Sequence, residues 1–263
     1  MKKILAVMTA FGMVLGFNLP LSAQAAVLPL AQIQPGDLIR GTSFPAVYYY
    51  GRDGFRYVFP NDKAYFTWYS DFSSVKWISD ADMGKVQIGG NVTYRPGVKM
   101  IKINSDPKTY AISRGGKLRW VTSEAVAISL FGSNWNKKID DVPDGFFPNY
   151  SMGADIETAS DYNAANELAD TTTVDQDKSL RAPTYLDITD NAYSQPNLTI
   201  SVGSVVRWTN KGANKHTATA DDLSWGSGTM DPNGAYSKLF KTAGTYTYFC
   251  SYHPTMRGTI TVQ

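Results

Sequence analysis

The chain has 263 residues, 43% of them hydrophobic and 13% aromatic, which is enough apolar material for one large domain or two small ones. A formal net charge of +2 excludes a broad charged surface for nucleic acid or an anionic membrane. One cysteine excludes a disulfide framework and any metal site built on two thiolates, and two histidines exclude a multinuclear metal cluster rich in imidazole.

The N-terminus has the organisation of a secretory signal. Lys2 and Lys3 precede an apolar run at residues 4–21, and Ala-Gln-Ala at 23–25 provides a cleavage site. We predict a signal peptide at residues 1–25 and an extracytoplasmic mature protein, in the periplasm, at the cell surface or in the medium. An uncleaved N-terminal anchor is the alternative. An unpaired cysteine in an oxidising compartment needs an explanation, and metal ligation provides one.

Residues 26–150 are rich in aromatic side chains and contain an internal repeat. The segment 56–72 aligns without gaps with the segment 119–135, so the period is about sixty residues. Each copy has the pattern of a β-hairpin around a glycine turn, with strands at 46–50 and 109–113. Helical patterns follow at 62–69 and 123–131, and Ser123 with Glu124 before the second apolar run indicates an N-cap and first turn. We therefore predict a small α+β tandem-repeat region of two copies, which we assign to no family.

Four tryptophans of this region allow two interpretations. Exposed indole rings stack on sugars, whereas buried rings would form the cores of the two copies. Repeated aromatics at matched positions favour the cores. The region contains no histidine or cysteine, which excludes most nucleophilic and metal-hydrolase mechanisms. The four residues are Trp68, Trp77, Trp120 and Trp135.

Residues 151–182 are acidic and polar, and Tyr162 is their only aromatic residue. Such a composition buries too little apolar surface to fold alone, so we predict an acidic flexible linker with a short helix near 160–168. From 183 to 263 the pattern changes to short strands with Gly and Pro turns, which is typical of a β-sandwich. The alternation predicts that strands 198–202 and 205–208 pair, and that strands 237–240 and 244–249 pair.

The scarce donor residues all lie in this strand-rich region. Cys250, His253 and Met256 fall within seven residues, and His216 is the other histidine. A thiolate, two imidazoles and a weak thioether match a type 1 blue-copper site, whereas zinc rarely takes Met. An inert thiol, surface histidines and a packing role for Met256 are the alternatives. The shared spacing favours ligation of one copper ion by all four residues.

Residues 183–263, about a third of the chain, resemble the plastocyanin and amicyanin branch of the cupredoxins. The resemblance lies in Trp208-Thr-Asn210, in His216-Thr217, in the strand before Cys250, and in His253-Pro-Thr-Met256-Arg-Gly258. The spacing Cys-x-x-His-x-x-Met is similar to that of amicyanin. The resemblance implies an all-β Greek-key sandwich with one type 1 copper ion, in which Cys250 is the thiolate, His216 and His253 are the imidazoles and Met256 is the axial ligand.

The resemblance also implies that His253 reaches the surface and provides a path for the electron. An apolar rim formed with Tyr252, Pro254 and Trp225 would surround it. Thr217 stands where plastocyanins often have Asn, which leaves the hydrogen bonding around the ligands, and hence the reduction potential, open.

We predict a secreted blue copper protein that transfers electrons between protein redox partners and is not an enzyme. Oxidases and reductases of this superfamily need further copper sites and many more histidines. The alternative is an extracytoplasmic copper-binding protein for storage, delivery or sensing, against which the lack of Met-rich or His-rich tracts counts. The N-terminal repeats would then bind a cell-surface component or a partner. We expect no nucleic-acid partner and no transmembrane segment after signal cleavage.

Overall fold

The computed structural model describes residues 26–263, and the predicted signal peptide lies outside them. Within this range the strands form four sheets, two before and two after residue 183. None of the helices between residues 26 and 263 combines the length and the apolar character needed to cross a membrane.

The first sheet has the strand order β1-β5-β2-β3-β4-β6. Its strands are β1 (Val27–Leu28), β2 (Leu38–Arg40), β3 (Val47–Tyr50), β4 (Arg56–Val58), β5 (Val75–Ile78) and β6 (Ile88–Asn91). β2, β3 and β4 form an antiparallel meander, β5 runs parallel to β2, and β6 runs parallel to β4. Two short helices, α1 (Asp62–Tyr65) and α2 (Asp80–Lys85), begin after the capping side chains of Asn61 and Ser79.

The second sheet has five strands in the order β10-β7-β8-β9-β11, which repeats the connectivity of β2 to β6 in the first sheet. Its strands are β7 (Met100–Ile103), β8 (Asp106–Ser113), β9 (Lys117–Trp120), β10 (Ile139–Asp141) and β11 (Ser151–Met152). β10 runs parallel to β7, and β11 runs parallel to β9. The turn between β8 and β9 needs Gly115 and Gly116, because both have positive φ. Helix α3 (Glu124–Phe131) follows the predicted cap, where the Ser123 side chain accepts from Val126 N at 3.3 Å.

The four tryptophans of the N-terminal region are partly buried, in agreement with a packing role. Trp68, Trp120 and Trp135 each pack against a hydrophobic cluster of this region. The Arg40 guanidinium covers the ring of Trp77 at 4.0 Å.

Residues 151–182 differ from the expected flexible linker, because they fold onto both preceding sheets. They contain β11 and two helices, α4 (Ala164–Asp170) and α5 (Val174–Asp177). Ile156 and Val174 are fully buried, each in a cluster with residues of one of the two sheets. The Tyr162 hydroxyl donates to Ile112 O at 2.9 Å.

The acidic residues of this segment explain why its composition is misleading. Asp175 accepts from Arg52 N at 3.1 Å, and Asp177 accepts from Gly115 N at 2.9 Å. Arg52 and Gly115 belong to the hairpin turns of the first and second sheets, so the two carboxylates tie both turns to one helix. These side chains accept from backbone N–H groups of turns that are distant in sequence, and they do not simply face solvent.

The C-terminal residues form two four-stranded sheets that enclose one core. The sheets have the orders β13-β12-β15-β17 and β14-β19-β18-β16. The strands are β12 (Thr184–Thr189), β13 (Ala192–Tyr193), β14 (Asn197–Ile200), β15 (Val205–Asn210), β16 (Thr219–Ala220), β17 (Ala235–Leu239), β18 (Gly244–Phe249) and β19 (Arg257–Val262). Side chains from both sheets, including the fully buried Trp208, Tyr248 and Ile260, share one hydrophobic cluster, as expected for a sandwich.

The strand pairing inside the sandwich differs from the two predicted pairs. β14 runs parallel to β19, while β15 lies in the other sheet between β12 and β17. β17 and β18 are likewise in opposite sheets. Alternation along a strand indicates which face is buried but does not identify the neighbouring strand. The turn at Gly203, with φ of 83°, therefore carries the chain across the core.

The N-terminal region covers the sandwich edge formed by β17. The Gln87 side-chain amide donates to Ser237 O at 3.0 Å and accepts from Ser237 N at 2.6 Å, which satisfies backbone groups of an edge strand. Val205 of β15 also belongs to the hydrophobic cluster of the first sheet.

Candidate metal centre

The loop between β15 and β16 holds His216 inside the sandwich. His216 N donates to Met230 O at 3.2 Å, and Met230 N donates to His216 O at 2.8 Å. This two-way backbone pairing leaves the His216 side chain fully buried. Met230 is 3% exposed within the core, which agrees with a packing role.

The other three predicted ligands lie on one tight turn between β18 and β19. Cys250 N donates to Met256 O at 3.0 Å, His253 N donates to Cys250 O at 3.1 Å, and Met256 N donates to His253 O at 2.8 Å. Each residue of the spacing Cys-x-x-His-x-x-Met is therefore bonded through its backbone to the other two. The turn buries Cys250 and Met256 and leaves His253 partly exposed.

The side chains of these two loops meet at one end of the sandwich. Cys250 Sγ lies 3.6 Å from His253 Nδ1, and the two imidazole centroids are 5.0 Å apart. Thr217 N, in the His216 loop, donates to Cys250 Sγ at 3.3 Å. The fold thus brings His216, Cys250 and His253 together and places the buried Met256 in the same hydrophobic cluster as Cys250.

Several features of this centre suit a soft metal ion. His216 Nε2 is buried and has no hydrogen-bond partner, although such a nitrogen needs one. Burial, followed by the nearby His253, lowers the pKa of His216 and so favours the neutral imidazole that binds metals. The Cys250 thiol is fully buried and unpaired. In residues 26–263 no three His, Cys, Asp or Glu side chains form a converged metal-binding group, so the identity of the metal depends on donor chemistry and family.

Two features around the centre were not predicted from sequence. The fully buried Asn210 contacts the His216 ring, with Oδ1 3.2 Å from Nδ1. The Thr217 hydroxyl accepts from Ser251 N at 2.8 Å and connects the two loops. The available sequence signal for the asparagine contact was an Asn shortly after a predicted strand and shortly before a candidate ligand.

The predicted apolar rim around His253 is only partly present. Tyr252 is 50% exposed, and its hydroxyl lies 2.8 Å from Thr229 Oγ1. Pro254 is also exposed. Trp225 instead packs against the core, with its ring centroid 5.7 Å from that of Trp208, because the large indole gains more by burial there.

Comparisons with known proteins agree with this geometry. The family described as copper binding proteins, plastocyanin/azurin family, matches residues 180–263. Amicyanin from Paracoccus denitrificans is 31% identical over 113 residues, which cover 39% of this chain and 86% of the relative. Plastocyanin from Scenedesmus fuscus is 37% identical over 84 residues, covering 27% of this chain and 86% of the relative.

Solved structures are similar to about a third of the chain. An oxidised amicyanin variant is 32% identical and covers 32% of this chain and 85% of that structure, with a TM-score of 0.30. A purple cupredoxin from Nitrosopumilus maritimus is 28% identical and covers 30% of this chain and 99% of that structure, with a TM-score of 0.29.

The chain therefore belongs to the plastocyanin/azurin family of copper-binding proteins. Its C-terminal region is an all-β cupredoxin domain that binds one type 1 copper ion.

Proposed function

We propose that this protein is an extracytoplasmic electron carrier that cycles one copper ion between two protein redox partners. The observation that carries the proposal is the turn at 250–256, where backbone bonds hold Cys250, His253 and Met256 on one turn, with the thiol and the thioether buried. We propose Cys250, His216, His253 and Met256 as the four ligands. Copper, when bound, supplies a one-electron couple, and a rigid ligand set limits rearrangement when the electron moves.

The protein residues have separate tasks in this proposal. Thr217 N–H, 3.3 Å from Cys250 Sγ, stabilises the thiolate and limits its charge donation to the metal. The buried side chains of Cys250, His216 and Met256 exclude water from the centre. His253 alone among the four is partly exposed, so it offers the short path for an electron to leave. Tyr252 and Pro254 provide the exposed surface beside it.

The first test is the Cu(II) form of the full-length protein, studied by visible absorption and electron paramagnetic resonance. We expect an intense thiolate-to-copper band and a narrow copper hyperfine splitting, both lost in Cys250→Ser. A colourless protein, or copper spectra that Cys250→Ser leaves unchanged, would contradict the ligand assignment.

Two buried methionines allow a matched control for the axial ligand. Met256 and Met230 are 4% and 3% exposed in the same core. Met256→Leu should raise the reduction potential, because loss of the thioether destabilises Cu(II) more than Cu(I), whereas Met230→Leu should change it little. Equal shifts in both variants would show that Met256 is a packing residue.

We further propose that residues 26–150 are the two-copy module that positions the carrier near a partner or a cell-surface component. The matching connectivity of β2 to β6 and β7 to β11 supports the repeat. Mass spectrometry of the protein from its host tests the location, since cleavage after Ala25 is expected. A mature chain that retains residues 1–25 would indicate an anchored protein instead.

A further inference from the structure

A cavity of about 330 Å³, which we call the junction cavity, lies where the N-terminal region meets the sandwich. The buried Val205 of β15 belongs to the hydrophobic cluster of the first sheet and lines this cavity. Ligand sites occur preferentially at such junctions between folded regions. The cavity lies outside the loops that hold the four predicted copper ligands, because its walls come from residues within 53–57, 178–181, 202–205 and 239–241.

Three cationic side chains line the junction cavity. Lys178 is half-buried, whereas Arg181 and Lys241 are exposed. Ser179 has a φ of 52°, in the left-handed region, and strained backbone of this kind clusters at ligand sites. Among residues 26–263 no carboxylate forms an ion pair with any of the three cations. The Lys178 ammonium lies 5.3 Å from the centroid of the Tyr57 ring, a contact that replaces only part of its lost hydration.

Two carboxylates act on Lys178, but both are bonded to other donors. Asp53 accepts from the hydroxyl of Tyr57. Asp177 accepts from Gly115 N at 2.9 Å. Desolvation by burial lowers the pKa of Lys178, although both carboxylates raise it. The cavity therefore contains a partly desolvated ammonium without an anionic partner, and such a charge is costly to bury.

The charge and the walls of the cavity indicate the chemistry of its ligand. Three cations and the Asp53 carboxylate leave a formal charge of +2 among the lining side chains. A phosphate monoester matches this charge, because its second pKa of about 6 makes it mainly a dianion at neutral pH. Apolar wall is provided by Leu180, Val202 and Leu239. Since a water molecule occupies about 30 Å³, the cavity has room for roughly ten non-hydrogen atoms.

We propose that the junction cavity binds a small soluble phosphate monoester with an apolar body, and that Lys178, Arg181 and Lys241 hold its phosphate group. Because the walls come from both the N-terminal region and the sandwich, the bound ester joins the two regions and stabilises their contact. This proposal is independent of the copper site and of the electron-carrier function.

The test is isothermal titration of the full-length protein with phenyl phosphate, an ester of about this size, at constant ionic strength. We expect one saturable site with a Kd on the order of 1 mM or below. Phenylacetate, a monoanion, should bind more weakly, and the neutral phenylacetamide should not bind. No saturable binding of phenyl phosphate, or equal binding of phenylacetamide, would overturn the proposal. Inorganic phosphate that binds as tightly as phenyl phosphate would overturn the assignment of an apolar body.

Lys178→Met removes the charge and keeps a side chain of similar length. The variant should bind phenyl phosphate about tenfold more weakly or worse, because a bond to a charged group is lost. Lys63→Met is the matched control, since Lys63 is exposed on α1 and lies outside the cavity. Equal affinities in the two variants would contradict the site. Val202→Glu covers a failure of Lys178→Met to fold: Val202 is 45% exposed, and a carboxylate there should also weaken binding, so an unchanged affinity would count against the proposal.

Two further measurements test the junction and the source of the ester. Phenyl phosphate should raise the Tm of the full-length protein but not that of Lys178→Met, and equal shifts would contradict binding at the junction cavity. Phosphatidylcholine vesicles that contain phosphatidic acid, a membrane-bound phosphate monoester, should not displace phenyl phosphate. Displacement by these vesicles would overturn the assignment of a soluble ligand in favour of a lipid headgroup.

Discussion

Replacing Ile156 with alanine tests whether residues 151–182 are an integral part of the folded N-terminal region. Ile156 N donates to Trp120 O at 2.8 Å, and Ile156 O accepts from Thr122 N at 3.2 Å. The side chain is fully buried in a cluster that includes Met100 and Tyr162. A flexible linker would have none of these contacts.

The size of the effect follows from the burial. Ile→Ala in a closed core costs about 2–5 kcal/mol, partly for lost transfer energy and partly for the remaining cavity. Because backbone bonds hold residue 156 on both sides, the site has little freedom to collapse. We therefore expect a loss of about 3 kcal/mol in the free energy of unfolding of the N-terminal region.

The assay is urea unfolding of the full-length protein, followed by tryptophan fluorescence and fitted to the transition of the N-terminal region. Ile128→Ala on α3 is the control, since that side chain is 43% exposed and should cost less than about 1 kcal/mol. If Ile156→Ala costs no more than the control, the packing of this segment, and the reasoning from its acidic side chains, are wrong. The blue copper band should be unchanged in both variants.

Two further changes test other features. Thr217→Val removes the hydroxyl that accepts from Ser251 N, so a chelator should extract copper about threefold faster or more. Thr217→Ser keeps the hydroxyl and should behave as wild type. Equal extraction rates in the two variants would refute the role of the hydroxyl. Burial raises the pKa of the Asp177 carboxyl above 3.8, so the folded chain binds the carboxyl proton more tightly than the unfolded chain does. The contribution of Asp177 to stability is therefore greatest at low pH and falls as the pH rises through the raised pKa. Asp177→Asn should flatten the pH dependence of urea stability on the side above about pH 4, and an unchanged slope would refute the assignment.

The metal chemistry was predictable because it depends on rare residues at short spacing. Three donor residues within one turn can be recognised as a metal site without knowledge of the rest of the fold. The predicted cupredoxin domain and its single copper ion are confirmed by the family. The choice of His216, Cys250, His253 and Met256 as ligands stays a prediction. The α3 cap at Ser123 was equally local, since one side chain satisfies the first turn.

Features that depend on distant partners were not predictable in the same way. The acidity of 151–182 indicated solvation, but Asp175 and Asp177 have acceptor roles toward turns far away in sequence. Alternation around Gly203 indicated buried faces but could not show that successive strands lie in opposite sheets. The contact between Asn210 and His216 depends on a loop path that no residue pattern specifies.

The position of the N-terminal region on the sandwich supports the carrier proposal. Val205 of β15 packs with the first sheet and pairs with Leu239, whereas Thr209, next to the metal end, pairs with Ala235. Strands rise about 3.3 Å per residue, so the contact at Val205 lies about 17 Å along the strand from Asn210. The N-terminal region therefore contacts the sandwich at Val205 and at Ser237, which pairs with Arg207, and neither contact lies in the loops that hold the four predicted ligands. A module that covered His253 would block electron exchange, whereas one attached to these strands can position the domain without hindering it.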